Sequence, residues 1–190
     1  MSTTAEDLYH RYRFSVEEYL RMGEAGILSE DDRVELIDGE IVDMPPIGRP
    51  HSGAVNRVGN LFGRQLGERV ILSIRNPIKI GDFSLPQPDI ALLRPRKDFY
   101  STAYPVPDDI LLVVEVAESS VRYDRDKKLP LYAAAGIPES WLVDIPARKL
   151  TLYREPAADG YRTAVEVADL ARVAATALPD CALDLRGLFG

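Results

Sequence analysis

Apolar positions recur along the chain with two periods, and the switches between them mark out the elements. Ala54, Val55, Val58, Leu61, Phe62 and Leu66 fall at helical spacing, which predicts an amphipathic helix over about 51–67 with Arg57 and Arg64 off its apolar stripe. A shorter helix is predicted upstream. Ser15 and Glu18 have the spacing of a capping box, and Gly23 or Gly26 closes the segment. Between these helices, 34–37 and 40–42 alternate around Asp38-Gly39, a pair suited to the tight hairpin turn that needs positive φ at both central positions. A Pro-rich loop follows at 45–48. Strands are predicted at 70–74, 77–80 and 88–93. Residues 110–116 form a β-branched and leucine run, as expected of a central strand buried on both faces. Residues 124–135 suggest a helix in which Pro130 demands a late start or a kink. Gly136 to Pro138 stop it, and strands follow at 140–145 and 150–154. The pattern predicts a mixed α/β domain with one central β-sheet, and it is silent beyond Arg172.

Composition narrows this further. At 190 residues the chain is expected to form one domain, with 1–14 as an N-terminal arm and 173–190 as a C-terminal extension without an assigned role. The single cysteine, Cys181, excludes an internal disulfide framework and a multi-cysteine zinc site. Two histidines, His10 and His51, are too few for most His-rich metal sites. The longest strongly apolar run, 110–114, falls far short of the ~20 residues a membrane helix needs, so no membrane partner is expected. The first residues carry no basic-then-apolar leader, and a cytoplasmic location is the expectation. The formal charge is −7, all of it arising in residues 1–50, which hold 5 basic and 12 acidic side chains; residues 51–190 hold 18 of each. That acidity weakens a nucleic-acid hypothesis, because phosphate binding relies on clustered Lys and Arg, without removing it.

Two acids stand out against this background. Glu115 lies inside the apolar run 110–116, and Asp89 follows Pro88 directly before Ile90-Ala91-Leu92-Leu93. A buried carboxylate must be paired, protonated, metal-bound or at a strand end, and each acid taken alone fits a structural role. Together they suggest more. Neighbouring strands would bring the two anions close, where they repel by ~4 kcal/mol at 4 Å in an effective dielectric of about 20. A hard divalent cation neutralises such a pair, since Mg²⁺ prefers one or two carboxylates plus water and phosphate oxygens. A lysine at 127 or 128 would add positive charge.

An ordered set of motifs now becomes informative: Pro88-Asp89; Glu115-Val116 with Ser119; Asp124 with Lys128-Leu129-Pro130-Leu131-Tyr132; and Gly136-Ile137-Pro138-Glu139 with Trp141-Leu142-Val143-Asp144. With Glu35-Leu36-Ile37-Asp38-Gly39-Glu40 and His51, the set resembles the Uma-type restriction endonucleases of the PD-(D/E)XK nuclease superfamily over roughly residues 15–155. The resemblance implies a restriction-endonuclease-like core, a central mixed β-sheet flanked by helices. It also implies a Mg²⁺- or Mn²⁺-dependent endonuclease acting on DNA, with no organic cofactor and with a homodimer as working unit. Asp89, Glu115 and the Val116 carbonyl would hold the metal. The superfamily places a lysine two residues after the second acid, and here that position is Ala117. The resemblance shifts the lysine to the following helix, at Lys128, with Lys127 as its neighbour.

Secondary candidates carry two readings each. Glu35 is a third acid facing the metal, or a cross-strand partner of a basic residue. His51 touches substrate or metal, or caps a helix. Asp124 reads as an N-cap, and Tyr132 and Trp141 as core. Arg57, Arg64, Arg122 and Arg125 contact DNA phosphates, or belong to solvated charged faces. The rival to an enzyme is a catalytically inactive nuclease-fold protein that binds nucleic acid or acts as a regulatory interaction module.

Overall fold

The computed structural model describes residues 11–29 and 31–190; the first ten positions of the expected N-terminal arm lie outside the described residues. Helix α1 (Val16–Glu24) begins at the expected capping box: Ser15 Oγ accepts from the Glu18 N–H at 3.2 Å, and the Glu18 carboxylate accepts from the Ser15 N–H at 2.8 Å. Strands β1 (Val34–Ile37) and β2 (Glu40–Asp43) form the hairpin, with Asp38 at φ 50° and Gly39 at φ 82°. Gly39 admits no side chain. A Cβ there would stand 2.6 Å from Arg13 Cβ and 2.9 Å from Arg13 Cα, because residues 11–14 run across the turn.

A six-stranded sheet carries the rest. Its strands are β3 (Ile71–Ile74), β4 (Ile90–Leu93), β5 (Ile110–Ala117), β6 (Glu139–Asp144), β7 (Lys149–Ala157) and β8 (Gly160–Glu166), neighbouring one another in chain order. Every pairing is antiparallel except β5 with β6. A parallel neighbour requires a crossover, supplied by α3 (Val121–Tyr123), a π-helical turn at Asp124–Lys128 and α4 (Leu129–Ala134). The long amphipathic helix α2 (Arg49–Leu66) covers the opposite face. All eight residues of β5 are buried, as the continuous apolar run predicts. Side chains alternate across the sheet: Leu112, Val114 and Val116 pack with α2 and the C-terminal stretch, while Val113 and Ala117 pack with Leu129 and Tyr132. Glu115 therefore faces the crossover helix.

Three expectations change. Residues 77–80 are not a strand; Ile80 makes one isolated bridge to Ser84, within a loop that also delivers Leu85 to Leu36. The predicted helix 124–135 starts earlier, at Val121. The Leu129 N–H reaches back five residues to the Asp124 carbonyl, and this widened turn accommodates Pro130, which lacks an N–H and would crowd the carbonyl four residues back. Beyond Arg172, where the pattern is silent, Val173, Ala175, Leu178, Leu183, Leu185 and Leu188 are buried in the α2-side core. Among the described residues, no helix is long and apolar enough to cross a membrane.

Candidate active site

The ladder between β3, β4 and β5 brings the two predicted acids together. Ile90 pairs with Val114, so Asp89, one residue before β4, stands beside Glu115 at the carboxyl end of β5. The first turn of α2 brings His51 to the same place, the hairpin brings Glu35, and the π-helical turn brings Asp124 and Lys128. These residues line one cavity of about 310 Å³, the rim of which includes the Pro-rich loop.

Lys128 is buried, with Nζ 3.0 Å from Glu115 Oε1 and 3.3 Å from Glu35 Oε2. Its position answers the substitution at Ala117. A residue two places after Glu115 points to the same face of β5, and Ala117 is fully buried there. The helix ammonium reaches that face from above instead. Burial pushes the Glu115 carboxyl up to about 8, with Lys128 pulling against the shift and Asp124 and Asp89 adding to it. Burial would lower the Lys128 ammonium, but Glu115, Glu35 and Asp124 outweigh that and hold it above the ordinary lysine value, so it stays charged. Asp124 is likewise raised by burial.

The two carboxylates are unequally satisfied at their two oxygens. Asp89 Oδ2 accepts from the Val116 N–H at 2.9 Å and lies 3.0 Å from His51 Nε2. Glu115 Oε1 accepts from the Tyr132 hydroxyl at 2.6 Å and from Lys128. Among the described residues, Asp89 Oδ1 meets Arg75 Nε at a loose 3.5 Å, and Glu115 Oε2 meets the Asp89 N–H at the same distance. One oxygen of each acid is pinned, and the other keeps free lone pairs. The Ala117 carbonyl accepts from the Ile145 N–H on the β6 side, so in an extended strand the Val116 N–H and carbonyl both point to the Asp89 side. The donors are hard oxygens, which suit Mg²⁺ or Mn²⁺ rather than a thiophilic metal. No group of three or more His, Cys, Asp or Glu side chains forms a ready metal cage among the described residues. Mg²⁺ does not need one, since it commonly takes one or two carboxylates and completes its shell with water and phosphate.

Each remaining candidate has a definite place. Glu35 is in the site, but its cross-strand neighbour is Val42; its basic partner is Lys128, and it also accepts from the Gln87 N–H at 3.1 Å. His51 does not cap α2, which starts at Arg49 behind Gly48. Asp124 is not an N-cap either: it lies within the π-helical turn and accepts from Ser120 Oγ at 2.6 Å. Tyr132 is core and also a direct ligand of Glu115. Trp141 is core, its indole N–H donating to Glu139 at 2.7 Å. Lys127 is exposed. Arg122 and Arg125 pair with Asp126 outside the cavity. Arg57 and Arg64 lie on the exposed side of α2, and Arg57 reaches toward the Leu188 carbonyl. None of these five lines the cavity. Sequence reasoning missed Arg75, which lies opposite Asp89 only once the antiparallel register of β3 and β4 is known.

A mixed sheet with a parallel step beside its central strand, and a buried acid–lysine cluster at that strand's carboxyl end, defines a restriction-endonuclease-like α/β domain. The chain belongs to the Uma2 family, described as "Putative restriction endonuclease", whose profile matches residues 16–186. Its fold is similar to that in a crystal structure of a "putative nuclease belonging to DUF820" from Anabaena variabilis ATCC 29413 (TM-score 0.72, 17% identity, 93% of this chain and 97% of that one). No curated protein matches the sequence.

Proposed function

We propose that this protein is a metal-dependent endonuclease that hydrolyses phosphodiester bonds in DNA in the cytoplasm, using Mg²⁺ or Mn²⁺. The observation that carries this reading is the unequal satisfaction of the two acids: Asp89 Oδ1 and Glu115 Oε2 have only 3.5 Å contacts, to Arg75 Nε and to the Asp89 N–H, while their partner oxygens are pinned. Those two oxygens and the Val116 carbonyl would hold the ion. When bound, it would supply Lewis acidity at the phosphoryl oxygen and a more acidic water. The residues around it do the rest. Tyr132 and Lys128 fix the Glu115 carboxylate. An ammonium has three donors, and Lys128 commits two to Glu115 and Glu35; the third is left to steady negative charge on a phosphate in the cavity. Glu35 holds Lys128 from the far side, a positioning role. Cutting both strands takes two such sites, which a homodimer supplies.

The test is nicking of supercoiled plasmid in Mg²⁺, Mn²⁺ or EDTA. Wild-type protein should nick only with metal, and Asp89→Ala, Glu115→Ala and Lys128→Ala should lose at least 100-fold, roughly the weight of one electrostatic group in the transition state. Lys127→Ala should remain near wild type. Equal nicking by all variants would refute the assignment, and metal binding without any nicking would favour the inactive module.

A further inference from the structure

Arg75 belongs to the site through three contacts, and the proposed function gives it no role. Its N–H donates to the Asp89 carbonyl at 3.1 Å, extending the β3–β4 ladder by one rung. Its guanidinium then folds back over the same residue, with Nε 3.5 Å from Asp89 Oδ1 and Nη2 2.9 Å from His51 Nδ1. The backbone is held at φ 54°, a left-handed conformation that costs a non-glycine residue about 1 kcal/mol or more and persists only where surrounding contacts enforce it. The chemistry of the imidazole follows. A guanidinium can only donate, so His51 Nδ1 must accept and carry no hydrogen. The ring hydrogen is then on Nε2, 3.0 Å from Asp89 Oδ2, and it points at the carboxylate.

We infer that Arg75 is a positioning residue: it fixes the Nε2–H tautomer of His51, which with the Val116 N–H pins Asp89 Oδ2 and leaves Oδ1 turned toward the metal position. The inference rests on the metal reading of Asp89. It explains why a histidine sits beside the acid without being a ligand, since both ring nitrogens are already engaged. It also separates positioning from charge. A lysine at 75 would keep the positive charge but lacks the rigid planar fork that aims Nε at Asp89 Oδ1 and Nη2 at His51 Nδ1.

The experiment therefore compares wild type with Arg75→Lys. Long-range ¹⁵N–¹H NMR reads the imidazole tautomer directly, and the chain has only two histidines to assign. Wild-type His51 should show a single Nε2–H tautomer, and Arg75→Lys a mixture. Titration with MnCl₂ should show a Kd about tenfold weaker in Arg75→Lys, the lower end of the usual effect of losing a residue that orients a metal ligand. In a His51→Gln background most of that tenfold should vanish, because the relay is already cut. An unchanged tautomer, or an unchanged Mn²⁺ affinity in Arg75→Lys, overturns the positioning role. An undiminished effect in the His51→Gln background overturns the route through His51. Wild-type protein that binds no Mn²⁺ overturns the metal reading instead, and the tautomer spectra still decide whether Arg75 locks the ring.

Discussion

Replacing Lys128 by methionine removes the one buried cation between two buried carboxylates while keeping a side chain of similar length. The 3.3 Å contact to Glu35 is an attraction of about 5 kcal/mol at an effective dielectric near 20, and the 3.0 Å contact to Glu115 becomes another of similar size only where that carboxyl is ionised. Desolvating the ammonium costs several kcal/mol in return, so breaking such a cluster from one side nets roughly 3–5 kcal/mol of lost stability. Protonation decides where in that range the loss falls. Burial already holds the Glu115 carboxyl at about 8, well above its ordinary 4.5. A carboxyl raised in the folded state contributes stability that is complete below its unfolded value and lost as pH rises through its folded value. Metal-free wild type should therefore lose stability between pH 4.5 and about 8. Lys128 exerts the main opposing pull on Glu115, so without it the folded value moves higher and the loss continues into alkaline pH. The gap between wild type and Lys128→Met should then stay nearly flat below pH 8 and widen by about 1.4 kcal/mol per pH unit above it. Urea unfolding in EDTA at pH 6.5, 8 and 9.5, followed by the fluorescence of Trp141, measures this. A gap of roughly 3 kcal/mol at the lowest pH and roughly 5 at the highest is expected. An equal gap at all three, or one below about 1 kcal/mol throughout, would show that Lys128 does not hold the Glu115 carboxyl down.

Metal binding at pH 7 should release close to one proton, because Glu115 must give up the proton that burial has kept on it; calorimetry with MnCl₂ in two buffers of different ionisation enthalpy reads the count, and no dependence on buffer would contradict it. Glu139 tests the opposite end of β6. Its fully buried carboxylate accepts from the Trp141 indole at 2.7 Å, from Arg154 Nε at 3.0 Å and from the Thr176 N–H at 2.6 Å, tying the C-terminal stretch to the sheet. Glu139→Gln places an amide N–H against one of these donors and should cost about 2–4 kcal/mol in urea unfolding, with Mn²⁺ affinity unchanged in the folded protein.

Periodicity carried most of the architecture into view. The stripe from Ala54 to Leu66, the Asp38-Gly39 turn and the apolar run of β5 each use a local rule that the tertiary structure does not override. What stayed hidden depends on non-local geometry. Strand β8 reads as half-exposed and polar, its burial set by an edge position that no local pattern encodes. The C-terminal stretch has buried leucines spaced by turns and a single bridge, Val173 to Leu183, rather than by a helix or strand period. In the site, Asp89 and Glu115 were legible because a carboxylate in an apolar run is an anomaly. Arg75 was not, since an arginine after a strand is unremarkable until strand register sets it against Asp89. Tyr132 looked like core because it is core; only its hydroxyl contact with Glu115 gives it a second task.

The charge around the cavity bears on how a polyanion is received there. Six carboxylates line it, those of Glu35, Asp43, Asp89, Glu115, Glu118 and Asp124, against the permanent cations Arg33 and Lys128. Two of the acids, Glu35 and Asp43, come from the first fifty residues, so the acidity of that segment is not merely peripheral. Of the arginines nearby, Arg122 and Arg125 are engaged with Asp126, Arg57 reaches toward the Leu188 carbonyl, and Arg75 lies 3.5 Å from Asp89 Oδ1, which leaves the cavity acidic. A phosphate entering this cavity alone meets net repulsion. On the proposed reading, Asp89 and Glu115 would hold a divalent ion whose charge would offset that repulsion, and Lys128 would give the phosphate a contact from the protein itself. The acidic lining that weakens a nucleic-acid reading of the free protein would then be the part that recruits the ion, and phosphate binding would depend on Asp89 and Glu115 being loaded first.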